Sequence, residues 1–317
     1  MNGTYTLNGI THLLTEDSTI TFTNVISGPG GFVWDMVNNK TVFTASNTYS
    51  GPTVIGGGLT LALSGNGSIS QSSPIFFGGS SSTNVAVDVS GRPDKTLTLA
   101  SGQTLSGIGR INGNLIVAAG ATLSPAGTNT TLGITTGANA IGTIAATNAI
   151  VLNGTTIIKL KGSGTNDVIQ STGAGIMYGG TLNLVNLNAA PLAAGNSFQI
   201  FNANSYAGSF SIITPAAPGA GLVWDTTQLN TGKLNVIAAP SPPVVNNITV
   251  SGNNLIFSGT NGVSGGSYIV LVSTNLTTPL INWTALVTNA FDANGVFHVT
   301  NIIAPGTPQL FYRLQLR

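Results

Sequence analysis

Eight carboxylates are the first place to look for chemistry: Glu16, Asp17, Asp35, Asp88, Asp94, Asp167, Asp225 and Asp292. A glycoside hydrolase needs two of them converging on one bond. A calcium-dependent lyase needs an acidic cluster beside a base. Glu16 and Asp17 are the sole neighbours in sequence, and adjacent strand residues point to opposite faces. The one dense charged patch is Asp88-Val89-Ser90-Gly91-Arg92-Pro93-Asp94-Lys95. It falls on a Gly/Pro turn, and a solvated loop with local ion pairs explains it. His12 and His298 stand alone without metal-ligand spacing, and His298 reads as a surface position on an alternating strand. Gly162-Ser163-Gly164-Thr165-Asn166-Asp167 is similar to one calcium-binding nonapeptide, but a single copy reads as a turn capped by Asp167. Gly56-Gly57-Gly58 lacks the Lys-Ser/Thr and the helix of a phosphate loop. Sequons such as Asn153-Gly154-Thr155 follow from the abundance of Asn and Thr and need no glycan. No catalytic residue, cofactor or metal is expected.

Composition explains why chemistry is sparse. Of 317 residues, nine are Lys or Arg and eight are Asp or Glu, so 5% are charged. A typical soluble domain has about 25%. Gly (42), Thr (42), Asn (33) and Ser (28) make nearly half of the chain. That excludes helical bundles and coiled coils. The 42% hydrophobic content excludes a disordered chain. Nine scattered cations cannot neutralise a run of phosphates, so nucleic acid is not an expected partner. Cysteine is absent, which fits an exported bacterial protein and rules out disulfides and thiol chemistry. The opening MNGTYTLNGITHLL has no basic region and no long apolar run, so no signal peptide is expected in it. No run approaches 18 apolar residues, so no transmembrane helix is expected.

Short strands dominate. They are read at Thr19–Val25, Val54–Leu63, Asn84–Val89, Lys95–Leu99, Asn114–Val117, Thr155–Leu160 and Gly180–Val185. Ala100-Ser101-Gly102-Gln103-Thr104-Leu105-Ser106 returns as Ala118-Ala119-Gly120-Ala121-Thr122-Leu123-Ser124, and Leu97 and Leu99 map to Leu115 and Val117 at the same 18-residue offset. Phe43 and Leu61 share that offset. A period near 20 with Gly/Asn turns predicts a right-handed parallel β-solenoid (a β-helix), each coil burying its apolar side on the next. The alternative, an antiparallel sandwich, has no reason to echo turns at a fixed offset. From Pro191 an end module follows, with strands at Ser197–Phe201, Ser209–Ile213, Gly221–Asp225 and Gly232–Ile237. Its aromatics are expected to cover the last strand edges. Gly31-Phe32-Val33-Trp34-Asp35 resembles Gly221-Leu222-Val223-Trp224-Asp225, which leaves two readings, the same role at the other end or coincidence. Residues 1–239 are thus the solenoid with its end module (about 191–239). Residues 240–243 are a Pro-rich linker, and 244–317 form a small antiparallel β-sandwich. Its strands are expected at Asn247–Ser251, Asn254–Ser258, Ser267–Ser273, Trp283–Asn289, Gly295–Asn301 and Gln309–Leu316, with Trp283 and Tyr268 as core anchors.

Asn47-Thr48-Tyr49-Ser50-Gly51-Pro52-Thr53, followed by Val54-Ile55-Gly56-Gly57-Gly58-Leu59-Thr60-Leu61, resembles the autotransporter-associated β-strand repeat, with Pro52 in place of that motif's second Gly. The tail around Tyr268–Leu276, Trp283 and Phe311–Leu314 resembles C-terminal domains of large secreted proteins from Verrucomicrobia-like bacteria. The resemblance implies a parallel β-helix exposed outside the cell or on its surface, in a group of adhesive or structural stalks. No C-terminal segment reads as a membrane barrel. The expected function is a non-enzymatic structural protein whose expected partner is itself. Assembly would use strand addition through Thr4, Thr6, Leu7, Ile20 and Phe22. The alternatives are an adhesin module binding surface glycans through Tyr268, Trp283, Phe311 and Tyr312, and a polysaccharide-degrading β-helix.

Overall fold

The computed structural model describes residues 3–13, 18–34, 40–56, 58–78, 85–127, 141–162, 164–304, 306 and 309–316. The chain divides into two compact units, Met1–Ala238 and Ala239–Arg317.

Thr and β-branched residues alternating with leucine favour strands, and turns rich in Gly, Asn and Ser keep those of the first unit to two to six residues. Among the described residues of the first unit this yields three long parallel sheets and one short one, in which Tyr5–Thr6 pairs with Ile26–Ser27. The nine-stranded sheet holds Ile10–Leu13, Gly31–Trp34, Thr53–Ile55, Ile75–Phe77, Thr104–Gly107, Thr122–Pro125, Thr155–Leu160, Thr181–Asn186 and Ile212–Thr214. The eight-stranded sheet holds Thr19–Phe22, Lys40–Phe43, Thr60–Leu63, Ala86–Asp88, Gly109–Asn112, Thr143–Ala146, Val168–Ser171 and Phe201–Asn202. The five-stranded sheet holds Thr96–Leu99, Asn114–Val117, Ile150–Leu152, Gly175–Tyr178 and Ser205–Gly208. The chain visits one sheet after another, then returns beside the strand it left. It is a parallel β-solenoid.

The 18-residue echo is one such circuit. Leu97 pairs with Leu115 and Leu99 with Val117, while Leu105 pairs with Leu123. The inward column continues through Ile150 and Leu152 to Ile176 and Tyr178, all buried. Each such side chain gains about 1.5–3 kcal/mol from burial. At the corner after Thr104–Gly107 the chain has φ +101° at Gly107, and a Cβ there would lie 1.8 Å from the Phe77 carbonyl oxygen. Only glycine fits.

Two expectations are corrected, and one open reading is decided. Phe43 pairs with Leu63, and Leu61 pairs with Thr41, so the Phe43–Leu61 offset is coincidental. Val54–Leu63 is two strands, Thr53–Ile55 and Thr60–Leu63, because the chain turns a corner after Gly56 onto another face. Gly31–Trp34 covers no end: it is an interior strand, buried at every residue, between Ile10–Leu13 and Thr53–Ile55.

The end module is an antiparallel sheet of Ser197–Gln199, Lys233–Ala238 and Leu222–Asp225. Phe198, Ile200, Leu234 and Val236 join the solenoid core with no exposure. The Gly232 carbonyl accepts the amides of Ile200 (3.1 Å) and Phe201 (3.0 Å), closing the eight-stranded sheet. The expected strand Ser209–Ile213 forms only from Ile212 to Thr214.

The second unit is two three-stranded antiparallel sheets. One orders Val244–Ser251, Asn254–Thr260 and Phe297–Ile302; the other orders Thr284–Ala290, Ser267–Ser273 and Phe311–Leu316. Phe257 meets Tyr312 (ring centroids 5.6 Å) and Tyr268 meets Phe297 (5.7 Å) across the gap, making a small sandwich.

Candidate functional site

The described carboxylates have structural partners. Arg92 grips Asp94 through two hydrogen bonds (3.0 and 3.1 Å) and donates to the Gly67 carbonyl. That grip holds the Asp94 carboxyl below the usual carboxylate range. Asp88 lies 3.9 Å from Lys40 and accepts the Ser90 amide. The patch is a pinned loop, with Lys95 at its corner at φ +48°. Asp225 accepts the Thr227 hydroxyl (2.6 Å) and amide (3.0 Å), which hold its carboxyl down. Asp292 accepts the amides of Asn294 and Val296. Glu16, Asp17 and Asp35 lie outside the described residues. No group of three or more His, Cys, Asp or Glu able to hold a metal occurs among the described residues. His298 is exposed on Phe297–Ile302, and His12 is exposed on Ile10–Leu13.

Asp167 is more than the cap of a turn. Its carboxylate is wholly buried, 2.7 Å from the Lys159 ammonium, which is itself 5% exposed. It also accepts the amides of Gly142 (2.9 Å) and Lys159 (2.9 Å), and Lys159 donates to the Pro125 carbonyl. Burial pushes the Asp167 carboxyl up, against the pull of Lys159 and the two amides. Strand alternation puts Lys159 on the outer face of Thr155–Leu160. It is buried because the chain folds back over it, Lys161 donating to Thr165 and Leu160 bridging Asn166.

The Asn47–Thr53 motif is a set of rung-to-rung bonds. Buried Asn47 accepts the Ile26 amide (2.9 Å) from one rung and donates to the Ser68 carbonyl (3.2 Å) of the other. Tyr49 stands edge-on to Phe32 and Phe43, and its hydroxyl bonds that of Thr53 (2.6 Å), which in turn bonds that of Ser72 (2.6 Å). Pro52 is accommodated because Gly31, beside it, has no Cβ: one built there would fall 2.2 Å from the Pro52 carbonyl oxygen.

The residues expected to assemble or bind fall in varied settings, and Tyr268 is the core anchor that the sequence suggests. Of Thr4–Leu7, only Tyr5–Thr6 form a strand, and it already pairs with Ile26–Ser27. Thr4 and Thr6 are exposed, Leu7 and Phe22 are core residues, and Ile20 packs against that core. In the tail, Tyr268 is a core residue, Tyr312 packs against the core and donor Asn301 reaches its hydroxyl (2.8 Å). Phe311 is half-buried. Trp283 is outside the core cluster, half-buried, with its indole N–H donated to the Thr278 carbonyl. These four side chains do not present a shared stacking face.

What the tail does present is bare strand. Val244–Ser251 and Thr284–Ala290 each end their sheet, and every residue in both is exposed. Val244, Val245, Ile248 and Val250 are 44–65% exposed, and Leu286 and Val287 are 37–38% exposed. Neither strand carries a charge. The opposite edges, Phe297–Ile302 and Phe311–Leu316, hold His298 and Arg313. Edge charges and prolines are the usual guards against strand addition.

The chain was also compared with known proteins. No family model matches it, and no curated protein matches it. No helix among the described residues is long and apolar enough to cross a membrane.

Proposed function

We propose that this protein is a non-enzymatic extracellular structural element that assembles with copies of itself by strand addition. The observation that carries this reading is the pair of uncharged edge strands Val244–Ser251 and Thr284–Ala290, exposed at every residue. An outermost strand with β-branched residues bare on both faces leaves its apolar surface and its backbone edge unsatisfied. A second copy supplies an identical strand, and with no charge on either there is no repulsion to prevent pairing. Two self-pairing edges on one subunit do not close: each joins a new copy, and the contacts propagate into a filament.

The low charge of the whole chain acts in the same direction. The tail edges support assembly better than Thr4–Leu7, whose two strand residues are already paired. The absence of cysteine and the resemblance of Asn47–Thr53 to a repeat of exported β-helices support a place outside the cell. The partners of Asp88, Asp94, Asp167, Asp225 and Asp292 support structural over catalytic roles. Electron microscopy of the purified chain tests the reading. It predicts filaments that lengthen with protein concentration; monomers alone, across concentration and salt, would refute it.

A further inference from the structure

A cleft of about 260 Å³ lies where the last rung of the solenoid meets its end module. One wall is aromatic. Tyr178 stacks on Phe210 (4.9 Å, 30°) and on Tyr206 (6.0 Å, 24°). Gly208 makes the turn behind this wall: it has φ +73°, and a Cβ there would lie 2.3 Å from the Tyr178 carbonyl oxygen. The facing wall is polar. It carries Thr226, Thr227 and Asn230, all exposed. That wall is fixed at both ends. Asp225 holds Thr227 by its hydroxyl and amide, and the Tyr178 hydroxyl donates to the Leu229 carbonyl (2.9 Å), joining one wall to the other.

Among the described residues, the lining contains no charged side chain. A phosphate, carboxylate or ammonium group would have no counter-charge there and would lose its hydration. Ring faces opposite hydroxyls and an amide suit a ligand with an apolar face and a rim of hydroxyl groups. The volume lies just under the roughly 300–1,000 Å³ of drug-sized sites, which matches one monosaccharide ring. We propose that this cleft binds a neutral sugar ring, stacked on Phe210 and Tyr206 and hydrogen-bonded by Asn230 and Thr226. The inference is independent of the assembly reading, since it uses no residue of the second unit.

The test is titration of the full chain with glucose, galactose, mannose, N-acetylglucosamine and cellobiose, read by saturation-transfer NMR and calorimetry. Glucuronate and p-cresol serve as charged and purely aromatic probes. At least one neutral sugar should bind saturably. Phe210→Ala should weaken it about tenfold, and Thr226→Arg, an exposed change that fills the cleft, should abolish it. Trp283→Ala in the tail should leave it unchanged. If Phe210→Ala fails to fold, Thr226→Arg decides alone. No saturable binding by any neutral sugar, preference for p-cresol or glucuronate, or full binding by Thr226→Arg would each overturn the proposal.

Discussion

Replacing Lys159 by Met isolates the one buried ion pair seen among the described residues. At 2.7 Å and an effective dielectric constant of about 20, the gross attraction is about 6 kcal/mol. Desolvation of both ions cancels much of it, so the pair as a unit contributes little net stability. Removing one partner is different. Lys159→Met leaves the fully buried Asp167 carboxylate with two backbone amides and no cation, at a cost of about 3–5 kcal/mol. Asp167→Asn leaves the ammonium facing an amide and the Pro125 carbonyl, with a similar cost. Lys159→Met/Asp167→Asn removes both charges and keeps one carbonyl oxygen to accept one of the two amides, so it should recover at least about 2 kcal/mol relative to additive losses. Urea titrations followed by far-UV circular dichroism measure the three variants. Hydrogen exchange should localise the loss to Thr155–Leu160 and Val168–Ser171, since rungs couple chiefly to their neighbours. A single variant costing under about 1 kcal/mol, or strict additivity in the double, would refute the reasoning.

Two further outcomes follow from the rung bonds and the titrating groups. Asn47→Ala orphans the buried Ile26 amide and should cost about 1–3 kcal/mol, with faster exchange confined to the rungs around Ile26 and Ser68. Stability should change little from about pH 5 to pH 8 and then fall in alkali. Burial raises the Tyr49 and Tyr178 hydroxyls above the ordinary value of 10.0, so the fold keeps them neutral while the unfolded chain ionises. Stability present below about pH 10 is therefore lost as pH rises further. Thermal melts across pH check this, and a transition moving by many degrees between pH 5 and 8 would contradict it. In acid the sign is mixed: Asp94 and Asp225, held low, lose their contribution as pH falls through their folded values, whereas Asp167, pushed up, becomes easier to accommodate when protonated.

The solenoid was legible where a rung is shortest and has no excursions. Leu97 over Leu115 and Leu105 over Leu123 show as an 18-residue echo because nothing interrupts the circuit between them. Elsewhere loops lengthen the circuit unevenly, Leu105 pairing back to Ile75 and Thr122 forward to Thr155, so one fixed period misassigned Phe43. The Asn47 motif was legible as a pattern, but its role across two rungs needed the stacking. Lys159 was not, because alternation places it outside and only the return of Lys161–Asp167 covers it. A lone lysine in the apolar run Thr155–Leu160 was the available signal. The cleft drew on Tyr178, Phe210 and Asn230, ordinary residues far apart in sequence that meet only when the end module closes.

The claim that bare tail edges drive assembly is tested most directly by putting a charge on each. Ile248 and Val287 are 65% and 38% exposed, so Ile248→Lys and Val287→Lys disturb no core. Sedimentation velocity of the full chain should show polymers for the unaltered protein, dimers for either single variant joined through its remaining edge, and monomers for the double variant. A monomeric unaltered protein at every concentration, or a double variant that polymerises as the parent does, would contradict the account.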